Sequence, residues 1–249
     1  KLKSVWGRQI DYVENLIISA DETIAYLADN YLGGLQIINI SDRTNPTFIN
    51  SYLPNSGYIE DLKLSKDGKT AFIYDGIEVE IVDVSNPLTP TLIGSYNADD
   101  GYGYGYSTTL SDDESTLYIA HSGVDIVDIS NPATPQFLGS YDNFNYTSDI
   151  VLSADGSKAY LVDSLSLEII DITDSANPVL LGSYTPDYAR AIALSPDGII
   201  AYIADYVGFK IVDVSDSANP SLLGSYDIDW GGEDFSDVTL SDDGTLAYF

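Results

Sequence analysis

The chain has 249 residues, 44% hydrophobic and 12% aromatic, the composition of a globular chain with material for a large core. Ten Lys and Arg stand against 39 Asp and Glu, and the formal charge of −29 argues against nucleic acid or an anionic membrane as partner. With no Cys and a single His, disulfides, thiolate nucleophiles and zinc-thiolate sites are excluded, and a Ser-His-Asp triad or a His-based metal site is hard to assemble.

In chain order the first element, Leu2 to Gly7 (LKSVWG), reads as a stray fourth strand of the repeat that follows it, placed to complete the last copy. A repeat then runs through the chain. Its register Ser recurs at Ser19, Ser65, Ser111, Ser153, Ser195 and Ser241, and a Ser-Tyr pair ends at Tyr52, Tyr96, Tyr141, Tyr184 and Tyr226, spaced by 44, 45, 43 and 42 residues. Each copy holds four short runs rich in Val, Ile, Leu and Tyr between turn residues, none long enough for a helix. In the fifth copy these are Ala191 to Leu194, Ile200 to Ala204, Phe209 to Val214 and Ser221 to Tyr226. The third runs, LQIINI, VEIVDV, VDIVDI, LEIIDI and FKIVDV, are apolar on both faces, as strands packed between neighbouring sheets must be. The last segment, Val238 to Phe249, supplies a first and second strand only.

A four-stranded unit of this length, repeated around a ring, predicts an all-β fold, a β-propeller of six four-stranded blades whose last blade is closed by the N-terminal strand. Residues 1–249 are expected to form one domain of a longer chain. The turn after each first strand carries Asp21, Asp67, Asp113, Asp155, Asp197 or Asp243, which read as hairpin residues, with Gly following in four copies. The Asp that ends the third strand, at Asp83, Asp128, Asp171 and Asp213, stands seven residues before a Pro and reads as a loop staple.

The run IVDVSNPLTPTLIGSY, Ile81 to Tyr96, and its counterparts from Ile126, Ile169 and Ile211, resemble the LVIVD repeat family. That resemblance implies a β-propeller and bacterial or archaeal surface or secreted proteins. It implies no catalytic motif.

Candidate functional residues lie on the face where first strands begin and second strands end. Tyr12, Tyr58, Tyr104, Tyr146 and Tyr188, with Phe235 one place later in the sixth copy, form an aromatic ring suited to sugars or a protein hot spot. The long links 97–107 and 227–237 add Tyr102, Tyr106 and Trp230 as partner contacts. Asp61, Asp149 and Asp237, joined by Asp29, Asp75, Asp163 and Asp205 at the second-strand exits, offer hard oxygen ligands for calcium. His121 occupies one of the exit positions and reads as a surface variant of that Asp.

The expected role is a non-catalytic extracellular or cell-surface module, an adhesin, surface-layer or fibre component that contacts protein or glycan and assembles as a homo-oligomer or filament. No membrane insertion is expected, since no run nears the ~20 apolar residues of a spanning helix. The alternative is a calcium-dependent hydrolase or lyase with its site at the mouth of the central channel.

Overall fold

The computed structural model describes residues 13–29, 34–98, 106–143, 145–227, 237–241 and 243–248. Their contacts divide the chain into two compact units, one of Lys1–Tyr104 with Ile129–Gln136 and one of Gly105–Asp128 with Phe137–Phe249.

The first unit contains two antiparallel sheets in chain order. One is β1 (Val13–Ile18), β2 (Ile24–Asp29), β3 (Gly34–Asn39) and β4 (Thr47–Tyr52); the other is β5 (Asp61–Leu64), β6 (Thr70–Tyr74), β7 (Glu78–Asp83) and β8 (Thr91–Asn97). Tyr26, Ile37, Leu62, Ile73 and Val82 share one buried cluster, so the two sheets pack face to face. The inner strands β1 and β5 are neighbours.

The second unit repeats the pattern. Its sheets are β9 (Ser107–Leu110), β10 (Thr116–Ala120), β11 (Gly123–Asp128) and β12 (Gln136–Asp142); β13 (Thr147–Leu152), β14 (Lys158–Asp163), β15 (Leu167–Asp171) and β16 (Val179–Tyr184); and β17 (Ala189–Leu194), β18 (Ile200–Asp205), β19 (Gly208–Asp213) and β20 (Ser221–Asp227). A two-stranded sheet, β21 (Thr239–Leu240) with β22 (Ala247–Tyr248), begins a sixth copy. Strands β9, β13 and β17 lie side by side in that order. The fold is therefore all-β and propeller-like, with five four-stranded sheets and a small one among the described residues. Leu2 to Gly7 lies outside them.

The hydrophobic pattern explains this architecture. Ile37, Ile81, Ile126 and Ile169, one on each of the first four third strands, are wholly buried, because a sheet sandwiched by neighbours removes both faces from water. The outer strands meet solvent: Leu92, Phe137, Val179 and Leu223 are exposed.

The turns behave as their chemistry dictates. Asp155 accepts the Ser153 hydroxyl at 2.6 Å and the Ser157 amide at 3.0 Å, while Ser153 Oγ accepts the Lys158 amide at 3.0 Å. The same bracket recurs at Ser19 with Asp21 and at Ser241 with Asp243. The residue after the Asp needs positive φ: Gly156 supplies it at 67°, and Glu22 and Glu114 adopt 55° and 57° in copies that lack the Gly. Asp83, Asp171 and Asp213 each accept the amide two residues on, at 2.8, 2.9 and 2.9 Å, as loop staples.

Candidate functional site

Second strands end in a carboxylate because the hairpin that follows exposes amides needing an acceptor. Asp75 takes the Ile77 and Glu78 amides at 2.9 and 2.6 Å, Asp163 those of Leu165 and Ser166 at 2.6 and 2.7 Å, and Asp205 that of Val207 at 3.0 Å. Asp29, Asp163 and Asp205 are all buried. The third copy departs from this pattern. Its hairpin is tighter, with Ala120 paired to Val124 and the His121 amide donating to the Gly123 carbonyl at 3.1 Å.

His121 is therefore not on the surface, as its sequence position suggested, but 3% exposed. Like the equivalent Asp29, Asp163 and Asp205 it is buried, and its Nε2 lies 3.2 Å from Asp125 Oδ1 while Nδ1 lies 3.4 Å from Ser122 Oγ. The Thr147 amide, from the first strand of the next copy, closes on the His121 carbonyl at 2.7 Å. His121, Ser122 and Asp125 thus meet within five consecutive residues.

Asp125 belongs to a second register missed by the sequence reading: the polar residue directly before the central Ile of each third strand, Gln36, Glu80, Asp125, Glu168 and Lys210. Its signal was there, as the one polar position inside an apolar strand. Glu80 is 3% exposed and accepts the Tyr52 hydroxyl at 2.5 Å and the Asn55 amide at 2.8 Å. Burial, then the Glu80 hydrogen bond, pushes the Tyr52 hydroxyl well above its ordinary value. In the fourth copy Asn143 donates to Glu168 at 3.0 Å and Asp163 at 3.3 Å. Burial and the Glu168 charge push Tyr141 up to about 12.

Lys210 reverses the charge at this register and gathers Asp227 at 2.8 Å, Asp205 at 3.1 Å and Asp187 at 3.8 Å. Burial pulls the ammonium down, but the Asp227 and Asp205 hydrogen bonds outweigh it and hold Lys210 above the usual lysine value.

The predicted calcium carboxylates are engaged otherwise. Asp61 accepts Asn15 Nδ2 at 2.9 Å, the Leu62 amide at 2.8 Å and an ion pair from Lys63 at 2.9 Å. Asp149 takes the Ser107 hydroxyl at 2.9 Å and the Ile192 amide at 3.0 Å, stitching β9, β13 and β17. Asp237 accepts the Val238 amide at 2.7 Å. Among the described residues no three carboxylate or imidazole side chains converge as metal ligands, whereas calcium takes 6–8 oxygens.

Of the aromatic ring, Tyr58 is 60% exposed, and in the second unit Tyr146 and Tyr188 are 55% and 63% exposed. Tyr106 is exposed too, and Tyr206, which the sequence reading omitted, joins this set at the β18–β19 turn. Tyr12, Tyr102, Tyr104, Trp230 and Phe235 lie outside the described residues.

A repeat of four antiparallel strands, stapled by Ser-Asp turns and packed sheet on sheet, places the protein among the propeller-like repeat proteins. The LVIVD repeat matches residues 17–53, 56–98, 110–143, 146–186 and 188–228, and the chain belongs to that family.

No curated protein matches the chain. Among solved structures, it is similar to the periplasmic gluconolactonase PpgL of Pseudomonas aeruginosa, with a TM-score of 0.73 and 16% identity over 88% of this chain and 71% of that one. A protein from Lactobacillus plantarum aligns with a TM-score of 0.73 and 16% identity over 86% and 70%. A putative 6-phosphogluconolactonase from Bacteroides fragilis aligns with a TM-score of 0.68 and 13% identity over 86% and 70%. These likenesses establish the fold. They also correct the expectation of a non-catalytic adhesin or scaffold that is not an enzyme, because the similar structures named for an activity are named as lactonases.

Proposed function

We propose that this protein is an exported hydrolase that opens sugar-derived lactones, with Asp125, His121 and Ser122 as its catalytic set. The observation that carries the reading is their proximity: Asp125 Oδ1 lies 3.2 Å from His121 Nε2, and Ser122 Oγ lies 3.4 Å from Nδ1. The Asp125 carboxylate beside Nε2 stabilises the imidazolium that forms when His121 takes a proton, and Nδ1 faces the Ser122 hydroxyl. Ser122 Oγ attacks the lactone carbonyl while His121 takes its proton. As the ring C–O bond breaks, that proton passes to the departing alkoxide, and water then hydrolyses the ester to the hydroxy acid by the same base.

The gluconolactonase names of two structurally similar proteins support the substrate class. The periplasmic one supports export to the extracellular side. Exposed Tyr106, Tyr146, Tyr188 and Tyr206 offer flat apolar faces with polar tips, a surface on which a sugar ring stacks. The finer architecture we propose is a ring of six four-stranded blades, the last completed by the N-terminal strand.

The test is release of acid from glucono-δ-lactone followed at constant pH. Wild-type protein turns it over, and His121→Gln and Ser122→Ala each reduce kcat by about 10²–10⁴ with an unchanged unfolding midpoint. Tyr188→Ala raises KM with kcat retained. Equal rates for wild type and His121→Gln would remove the catalytic assignment.

A further inference from the structure

A buried hydroxyl in the second unit stands where the repeat otherwise places an apolar side chain. Thr147, at the start of β13, is wholly buried, and its Oγ1 has no hydrogen-bond partner among the described residues. The residue at the same distance before the register Ser is Ile59 in the second copy and Ala189 in the fifth, both buried. A hydroxyl taken out of water without a partner costs stability, so native structures satisfy nearly all such groups with protein or ordered water. Apolar packing gives no reason for the Oγ1 of Thr147.

Its surroundings follow from the repeat. Ile59 shares a buried cluster with Ala28 and Leu35 of the preceding sheet, and Ala189 shares one with Val162 and Leu167. Both of those pairs stand opposite each other on a second and a third strand, next to the hairpin that joins them. The corresponding pair in the third copy is Ala120 with Val124, which flank the His121-Ser122-Gly123 turn. The Thr147 amide is already joined to that turn, donating to the His121 carbonyl at 2.7 Å. The Thr147 side chain thus faces the root of the hairpin that carries His121 and Ser122. The side chains there are also small. Thr147 and Val124 are each one heavy atom smaller than Ile59 and Leu35, which fill these places between the first two sheets. The missing atoms correspond to the space of about one water, the group that most often satisfies a buried hydroxyl of this kind.

We propose that Thr147 Oγ1 holds the water that releases the product from Ser122, an inference that rests on the hydrolase reading above. Lactone chemistry makes such a water necessary. When Ser122 Oγ opens the ring, the departing alkoxide stays tethered to the acyl group, and once protonated it can attack the new ester and close the ring again. Well-oriented tethered groups react at effective concentrations that reach about 10⁵–10⁸ M, which puts a water arriving from bulk at a disadvantage. A resident water is already in place. Its oxygen adds to the ester carbonyl while His121 takes one of its protons; the bond from the carbonyl carbon to Ser122 Oγ then breaks, and His121 returns the proton to Oγ. The Thr147 hydroxyl orients that water, since it both donates and accepts a hydrogen bond.

The experiment uses the full chain with glucono-δ-lactone as probe and reads acid release at constant pH, intact-protein mass after an acid quench, and the thermal unfolding midpoint. Thr147→Val keeps the shape and removes the hydroxyl. It is expected to lower kcat by about 10²-fold with KM not raised, and to accumulate an adduct of one lactone mass that Ser122→Ala never shows. Thr147→Ser keeps the hydroxyl and retains turnover, yet melts below Thr147→Val because it loses a buried methyl. Turnover and midpoint therefore rank the two variants in opposite order. Turnover that follows the midpoint across them overturns the proposal, because the hydroxyl then serves the fold alone. A Thr147→Val variant as fast as wild type, with Ser122→Ala inactive, overturns it too and leaves the hydrolase reading standing. Equal rates for wild type and Ser122→Ala place the failure in that reading, and the proposal falls with it.

Discussion

At the residue scale, the repeated Asp after each first strand behaves as a small anion site built from hydroxyls and amides. The Ser153 hydroxyl, then the Ser157 amide and hydroxyl, hold the Asp155 carboxyl far below its ordinary value; Ser111 and Ser115 bring Asp113 down to about 2. The consequence for stability has a definite sign. A carboxyl depressed in the folded state contributes stability that is fully present above its unfolded value near pH 4 and is lost as pH falls through the folded value. In about 1 M salt, where the Debye length is ~3 Å and overall repulsion is screened, the unfolding midpoint therefore declines below about pH 4. Substituting Asp155→Asn reduces the size of that decline. A decline of wild-type size in Asp155→Asn would show that this turn does not couple to folding. The Asp turns were legible from the sequence because Ser, Asp and Gly act through their own neighbours. His121 was not, because its burial beside Asp125 comes from packing between strands that its position in the repeat does not reveal.

At the scale of elements, each third strand is the axis of its sheet, and its cost of damage depends on what covers it. Ile169 is wholly buried and Ile211 half-buried at the same repeat position. Truncating Ile169 to Ala is expected to cost about 2–5 kcal/mol in chemical denaturation, as for other buried Ile positions. Ile211→Ala should cost clearly less. Equal losses would mean that the two faces are equally covered. The Tyr52 hydroxyl belongs to the same scale, since it joins a fourth strand to the third strand of the following repeat. Tyr52→Phe leaves Glu80 buried with one partner fewer, a penalty of about 1–3 kcal/mol readable in urea unfolding; an unchanged midpoint would show that the carboxylate is solvated instead. The strand pattern, the Gly at the fourth-strand bulge and the Asn-Pro loop were all visible in sequence as periodic marks. Their mutual contact, in which the Ser217 carbonyl of the following repeat lies so close to Gly182 that a Cβ there would overlap it, was not, because a spacing of about one repeat says nothing about which atoms meet.

At the scale of the whole molecule, a charge of −29 on 249 residues opposes compaction. Raising sodium chloride from about 10 mM to 150 mM shortens the Debye length from ~30 to ~8 Å, so the unfolding midpoint at pH 7 should rise. Replacing sodium by millimolar calcium at matched ionic strength should add little, because Asp61, Asp149 and Asp237 already accept hydrogen bonds and no three carboxylates converge among the described residues. A large calcium-specific rise would reinstate those aspartates as ligands. By itself the sequence determined the repeat, its four strands, the turn chemistry and the family, since each is set by residues a few positions apart and by the two-residue period of a strand. Only the tertiary structure decided that the first-strand carboxylates tie neighbouring sheets together and that His121 lies against Asp125. Those facts depend on distances between side chains brought together by packing, and packing distances are not encoded in spacing along the chain.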